Sequence, residues 1–139
     1  MSDISVSGST PAYVDLCGRF RRAALLGDAL GILDWDQATT MPEGSAAGRA
    51  EQIAALSVMR HELLVNSAVA DGLHSAEDEL GSGRSDDWDI ANLREMKRAY
   101  LNAAAVPGAL VEAAARANAV CEVQWRRARA ENDFASLVP

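Results

Sequence analysis

The spacing of apolar positions divides the chain into five amphipathic helices. Tyr13, Leu16, Phe20, Ala23, Gly27 and Leu30 recur at three and four residues, with Arg19, Arg21, Arg22 and Asp28 off that stripe. The pattern predicts a first helix of about 25 residues. Thr10-Pro11 starts it, since threonine can cap free N–H groups and proline tolerates the first helical position. It ends within residues 39–42, because Pro42 disfavours a helical Met41. A second helix runs from about Ser45 through Ala50, Ile53, Leu56, Met59, Leu63 and Leu64. Asn66 and Ser67 interrupt it and can cap a third, carrying Val69, Leu73, Ala76 and Leu80. Residues 81–85, GSGRS, read as a loop. Ser85 with Asp86 and Asp87 opens a fourth helix, faced by Ile90, Leu93, Met96 or Lys97, Tyr100 and Ala104. A fifth runs from Pro107 to about Glu131 with Leu110, Ala114, Ala117, Cys121, Trp125 and Ala128 at helical spacing, and Asn132 ends it. There is no strand-type alternation and no internal repeat. The expected fold is all-α, an antiparallel, bundle-like arrangement of about five helices, as a single helical domain over residues 10–139 after a disordered lead-in at 1–9.

Residues 27–42, GDALGILDWDQATTMP, are the least ordinary stretch. Gly27 and Gly31 share a helix face although each glycine costs about 1 kcal/mol against alanine, so close approach of a second backbone is expected there. Asp34 and Asp36 bracket Trp35 at the helix's carboxyl end, where the macrodipole disfavours acids. Asp34 continues the stripe of Phe20, Gly27 and Leu30 and is expected to point inward. Asp36 leaves that face by about 200°. A buried carboxylate there needs a cation, and Arg49, Arg94 and Arg98 are the candidates. At least one aspartate is expected to pair with one of these, or to cap the turn at 39–45. An acid–base carboxylate pair is the competing reading, but the two side chains converge only if the helix unwinds.

Composition narrows the function classes. The 139 residues are 49% hydrophobic, enough for one domain with a core. Thirteen basic against twenty acidic residues leave a net charge of −7, which opposes a nucleic-acid or anionic-membrane role. Cys17 and Cys121 lie in helical patterns without metal-ligand spacing, so a reduced, cytoplasmic chain with buried cysteines is expected. No apolar run reaches the length of a membrane span.

The chemistry-bearing signals are sparse. His61-Glu62-Leu63-Leu64-Val65 misses H-E-x-x-H by its second histidine, and His74 follows a predicted helix break. A zinc site needs three or four converging ligands, so His61 reads as an ordinary helix residue. Arg94-Glu95 reads as a solvated face or a packing ion pair, and Trp35, Trp88 and Trp125 as core or interface anchors. No phosphate-cradling loop or nucleophile elbow is present.

The run LGDALGILDWDQATTMP at 26–42 resembles the N-terminal region of the carboxypeptidase Taq family of zinc metallocarboxypeptidases, which carry a W-D-x-x-T-x-M-P signature. Three further blocks agree in order: RAEQIAAL from Arg49 with His61-Glu62 after it, NLREMKRAY from Asn92 followed by Val106-Pro107, and WRRARAENDF from Trp125. The resemblance implies a mostly helical enzyme that removes C-terminal residues from peptides with a zinc held by H-E-x-x-H and a downstream glutamate. It further implies a homodimer whose N-terminal helices form wall and lid over a substrate groove. None of the catalytic motifs has a matching position here. The expectation is therefore an inactive front segment with no cofactor or metal of its own, zinc belonging to a full-length parent. Its partners would be the remaining catalytic part or a second copy of itself, with peptide substrate only in the full-length context. A stand-alone helical interaction or dimerisation module is the alternative. Asp34, Trp35, Asp36, Arg49 and Arg94 are the candidate structural or groove-wall residues.

Overall fold

The first helix begins where Thr10-Pro11 predicts, but a different residue serves its free end. In the computed structural model, which describes residues 10–81 and 86–138, Thr10 Oγ1 is buried without a hydrogen-bond partner. Ala12 N–H instead donates to Glu79 Oε2 at 3.2 Å, so an acid 67 residues away fills the capping role. The elements are α1 (Pro11–Thr39), a 3-10 turn (Glu43–Ser45), α2 (Ala46–Leu64), α3 (Ser67–Gly81), α4 (Asp87–Ala104), α5 (Gly108–Glu131) and a second 3-10 turn (Ala135–Leu137). The fold is all-α, with no strand among the described residues. Asn66 Oδ1 accepts from Ala68 N–H at the start of α3, and Asp86 Oδ1 from Trp88 N–H at the start of α4. Asn132, at φ 53°, closes α5 in the left-handed conformation. The lead-in at 1–9 and the loop residues 82–85, with the Ser85 cap, lie outside the described residues. No described helix is long and apolar enough to cross a membrane.

The chain divides into two compact units, and α1 contributes to both. The first takes the chain up to Ala24 with His61–Val106. Its core joins Tyr13 and Leu16 of α1, Val69, Leu73, Ala76 and Leu80 of α3, and Leu93 and Met96 of α4. The α3 stripe is the one its spacing predicts. On α4 the stripe is narrower than expected, because Ile90 is half exposed. Fully burying a leucine contributes about 1.5 to 3 kcal/mol, and Leu16 is at zero exposure. A Cβ on Gly72 would stand 3.0 Å from Leu16 Cδ1, so here a glycine does permit close approach. Asn92 Nδ2 donates to Tyr13 Oη at 2.8 Å, and burial pushes the Tyr13 phenol well above its ordinary range.

The second unit takes Leu25–Arg60 with the chain from Pro107 onward. Its buried apolar residues are Met41, Ile53, Ala54, Ala119 and Ala128, three of them alanines. So small a core gives polar ties a larger share of the work. The α5 face differs from the predicted stripe: Leu110, Ala114, Ala117, Cys121 and Trp125 are exposed, and Ala119 is buried. Alanine is spread all round α5, so apolar spacing alone does not choose its inward face. All three tryptophans are exposed, which removes them as core anchors, and Cys17 is half-buried rather than buried.

Candidate functional site

The carboxyl end of α1, inside the second unit, is where the unusual sequence becomes geometry. The last turn of α1 holds no basic residue of its own. Cations arrive from elsewhere: Arg49 Nη1 of α2 donates to the Leu33 carbonyl at 3.0 Å, and Arg126 Nη1 of α5 to the Gln37 carbonyl at 2.7 Å. The Asp36 carbonyl accepts from Thr40 N–H and Met41 N–H at 3.0 and 2.9 Å, and Thr39 Oγ1 donates to the Trp35 carbonyl at 2.6 Å. Positive charge thus meets the negative end of the helix, which is the favourable sense of the dipole interaction.

Asp36 holds the corner from the side-chain side. Its Oδ2 lies 2.6 Å from Arg49 Nη1, and its Oδ1 accepts from Thr40 Oγ1 at 2.5 Å. The Thr40 hydrogen bond, with Arg49 beside it, holds the Asp36 carboxyl below the ordinary carboxylate range. Arg49 also donates from Nε to Gln52 Oε1 at 3.1 Å. Met41 is buried, and Pro42, in extended backbone, opens the 3-10 turn that leads into α2.

Asp34 does not point inward. It is exposed, while Leu33 is half-buried and Gln37 is buried. The inward stripe of this half of α1 runs through Leu30, Leu33 and Gln37, which leaves Asp34 at its margin. Neither aspartate needs an unwound helix, since α1 continues to Thr39. The glycines differ from expectation too. A Cβ on Gly27 would meet the Arg60 side chain at 3.3 Å rather than a backbone, and one on Gly31 would meet nothing within 4 Å.

Beside this corner lies a cleft of about 480 Å³, lined by Leu30, Asp34, Gln37 and Ala38 of α1, Ile53 and Ser57 of α2, and Ala115, Asn118, Ala119 and Glu122 of α5. Gln37 is 5% exposed. Its Nε2 reaches the Ala119 carbonyl at 3.5 Å, and its Oε1 is buried with no partner. The α2–α5 side is tied by Arg116, which pairs with Glu51 through both terminal guanidinium nitrogens and with Glu112 at 3.0 Å. That pairing lowers the Glu51 carboxyl and raises Arg116.

The other candidates belong to the first unit. Arg94, on α4 of the first unit, is largely exposed with Nε 4.0 Å from Glu95 Oε1, and Glu95 pairs with Arg98 at 2.6 Å. His61 is half-buried late in α2 and His74 exposed on α3. Among the described residues no three His, Cys, Asp or Glu side chains come together to hold a metal ion. A catalytic zinc takes three protein ligands, and the described residues bring no such set together. Sequence reasoning passed over Gln37, Arg116 and Arg126. A glutamine on an inward stripe was the available signal for the first.

Comparison with known proteins agrees with the motif reading. The family described as carboxypeptidase Taq (M32) metallopeptidase matches residues 15–139. A thermostable carboxypeptidase 1 of Thermus thermophilus is 32% identical over 131 residues, which cover 92% of this chain and 25% of that protein. A thermostable carboxypeptidase 1 of Pyrococcus furiosus is 24% identical over 124 residues, covering 89% of this chain and 24% of that protein. The chain thus spans about a quarter of the length of these curated relatives. No solved structure matches. With the match running from the first turns of α1 to the final residue, this chain belongs to the carboxypeptidase Taq (M32) metallopeptidase family.

Proposed function

We propose that this chain is the N-terminal helical scaffold and lid segment of a zinc metallocarboxypeptidase that releases C-terminal residues from peptides. The zinc and the catalytic groups belong, in this reading, to parts of such an enzyme that the matched quarter does not include. The observation that carries it is the use made of the signature W-D-x-x-T-x-M-P. Asp36, Met41 and Pro42 close the corner between α1 and α2, and Thr39 bonds back to the Trp35 carbonyl in the last turn of α1. The Trp35 side chain takes no part in this and is 63% exposed, on the outer side of α1 with Ile32 and Leu25 at 67% and 58%. An exposed apolar row on a helix held so firmly suits a wall that meets another part of the protein. The setting proposed is cytoplasmic, in keeping with two free cysteines.

A chimera tests this. This chain replaces the matched quarter of the Thermus thermophilus carboxypeptidase, and release of C-terminal amino acids is assayed with zinc. The chimera is expected to turn over peptide, and the isolated chain is expected to do neither that nor bind zinc stoichiometrically. A folded but inactive chimera, or turnover by the isolated chain, overturns the reading.

The same apolar row supports a second reading, a stand-alone interaction or dimerisation module. Sedimentation of the isolated chain separates the two, since such a module associates through the row and a Trp35→Ser variant loses the association.

A further inference from the structure

We propose that the cleft of the second unit binds a small organic cation, an alkylammonium or guanidinium group, between Asp34 and Glu122. Both carboxylates line the cleft, and no basic side chain does. Neither has an ion pair among the described residues. The neighbouring arginines are already committed: Arg49 to Asp36 and the Leu33 carbonyl, Arg126 to the Gln37 carbonyl, Arg116 to Glu51 and Glu112. Two carboxylates without a counter-charge attract a cation.

A second observation is independent of the charges. Gln37 lines the same cleft, is more than nine-tenths buried, and keeps an amide oxygen without a partner. A buried acceptor left unpaired is costly, so a ligand whose N–H donors draw the Gln37 amide round toward the cleft gains more here than at an ordinary acidic surface. An ammonium carries three donors and a guanidinium up to five. Leu30 and Ile53 offer apolar wall for the alkyl stem behind the charged head. A metal ion suits the cleft less well, because no three carboxylate, histidine or cysteine groups converge among the described residues. About 480 Å³ is room for a four-carbon stem and its head group. The inference concerns residues of this chain and stands whether or not the scaffold reading holds.

The test is a titration of the isotope-labelled full chain, reading the side-chain amide resonances of Gln37 and Asn118. The probes are n-butylguanidinium, n-butylammonium, the neutral isostere n-butylurea, and the peptide acetyl-Gly-Arg-Gly-amide. Both cations are expected to give saturable shifts of these amides, with n-butylurea weaker by about tenfold or more. Asp34→Asn and Glu122→Gln are each expected to weaken n-butylguanidinium several-fold, while Asp71→Asn, the same charge change on exposed α3, leaves it unchanged. Unaltered backbone spectra away from the cleft show that the variants are folded. A peptide that binds like the free cation identifies a basic side chain as the source. Binding of the free cation alone identifies a small free amine or guanidine, and both results support the cation site. Absence of saturation, equal binding of n-butylurea, or an Asp71→Asn effect as large as the other two overturns it.

Discussion

Arg126 donates from Nη1 to the backbone carbonyl of Gln37 at 2.7 Å, bringing to the end of α1 a charge that its own last turn lacks. The bond joins residues 89 apart in the sequence. Replacing Arg126 by Met keeps much of the stem and removes the donor. A charge-assisted hydrogen bond of this kind contributes about 1.5 to 3 kcal/mol. Urea denaturation of Arg126→Met is expected to show a loss in that range, and an unchanged midpoint would deny the guanidinium its capping role.

Asp36 and Glu51 make the second unit sensitive to acid. Their carboxyls are held below the ordinary values of 3.8 and 4.5, by Thr40 and Arg49 in one case and by Arg116 in the other. A depressed folded value means that the stabilisation is complete above the ordinary value and is lost as pH falls through the lowered one. Stability is therefore expected to decline below about pH 4. The decline should be shallower in Asp36→Asn and Glu51→Gln, measured by denaturation at neutral pH and at stepwise lower pH.

Two helix glycines should respond to alanine in opposite directions. Gly31 has open space where a Cβ would go, so Gly31→Ala is expected to stabilise by about 0.5 to 1 kcal/mol. At Gly72 the new Cβ would stand 3.0 Å from fully buried Leu16. The helix gain is then outweighed by repacking, and a net loss on the order of 1 kcal/mol is expected. Thermal melts of the pair check the contrast.

Within the W-D-x-x-T-x-M-P signature, Trp35 and Met41 should behave differently. Met41→Ala empties a site at 4% exposure and is expected to cost about 2 to 5 kcal/mol. Trp35→Ala removes a side chain that is 63% exposed and should stay within about 0.5 kcal/mol. Chemical denaturation of both variants distinguishes them. A large loss in Trp35→Ala would place its ring in the core rather than on a surface.

Where the sequence could be read, local chemistry was strong. The α3 stripe of Val69, Leu73, Ala76 and Leu80 repeats at helical spacing against polar neighbours, and all four are buried. That one of the two aspartates pairs with Arg49, Arg94 or Arg98 was also legible, since a carboxylate at a helix's negative end requires a cation, while the choice of Asp36 and Arg49 came from the structure. Asp34 was misread because a stripe extended at fixed spacing takes no account of which neighbours the helix meets further along. The α5 stripe failed for a different reason, as alanines on every side give no face an advantage.

By itself the sequence determined the all-α class, the five helices with most of their breaks, and the family, because these rest on periodicity, turn residues and short ordered motifs. Only the tertiary structure decided what else serves the helix ends: Glu79 rather than Thr10 at the start of α1, and Arg126 at its end. It also decided that Gln37, Asp34 and Glu122 share one cleft. Hydrogen bonds and charges act through distance in space, and between residues 67 to 89 apart along the chain no local pattern records that distance.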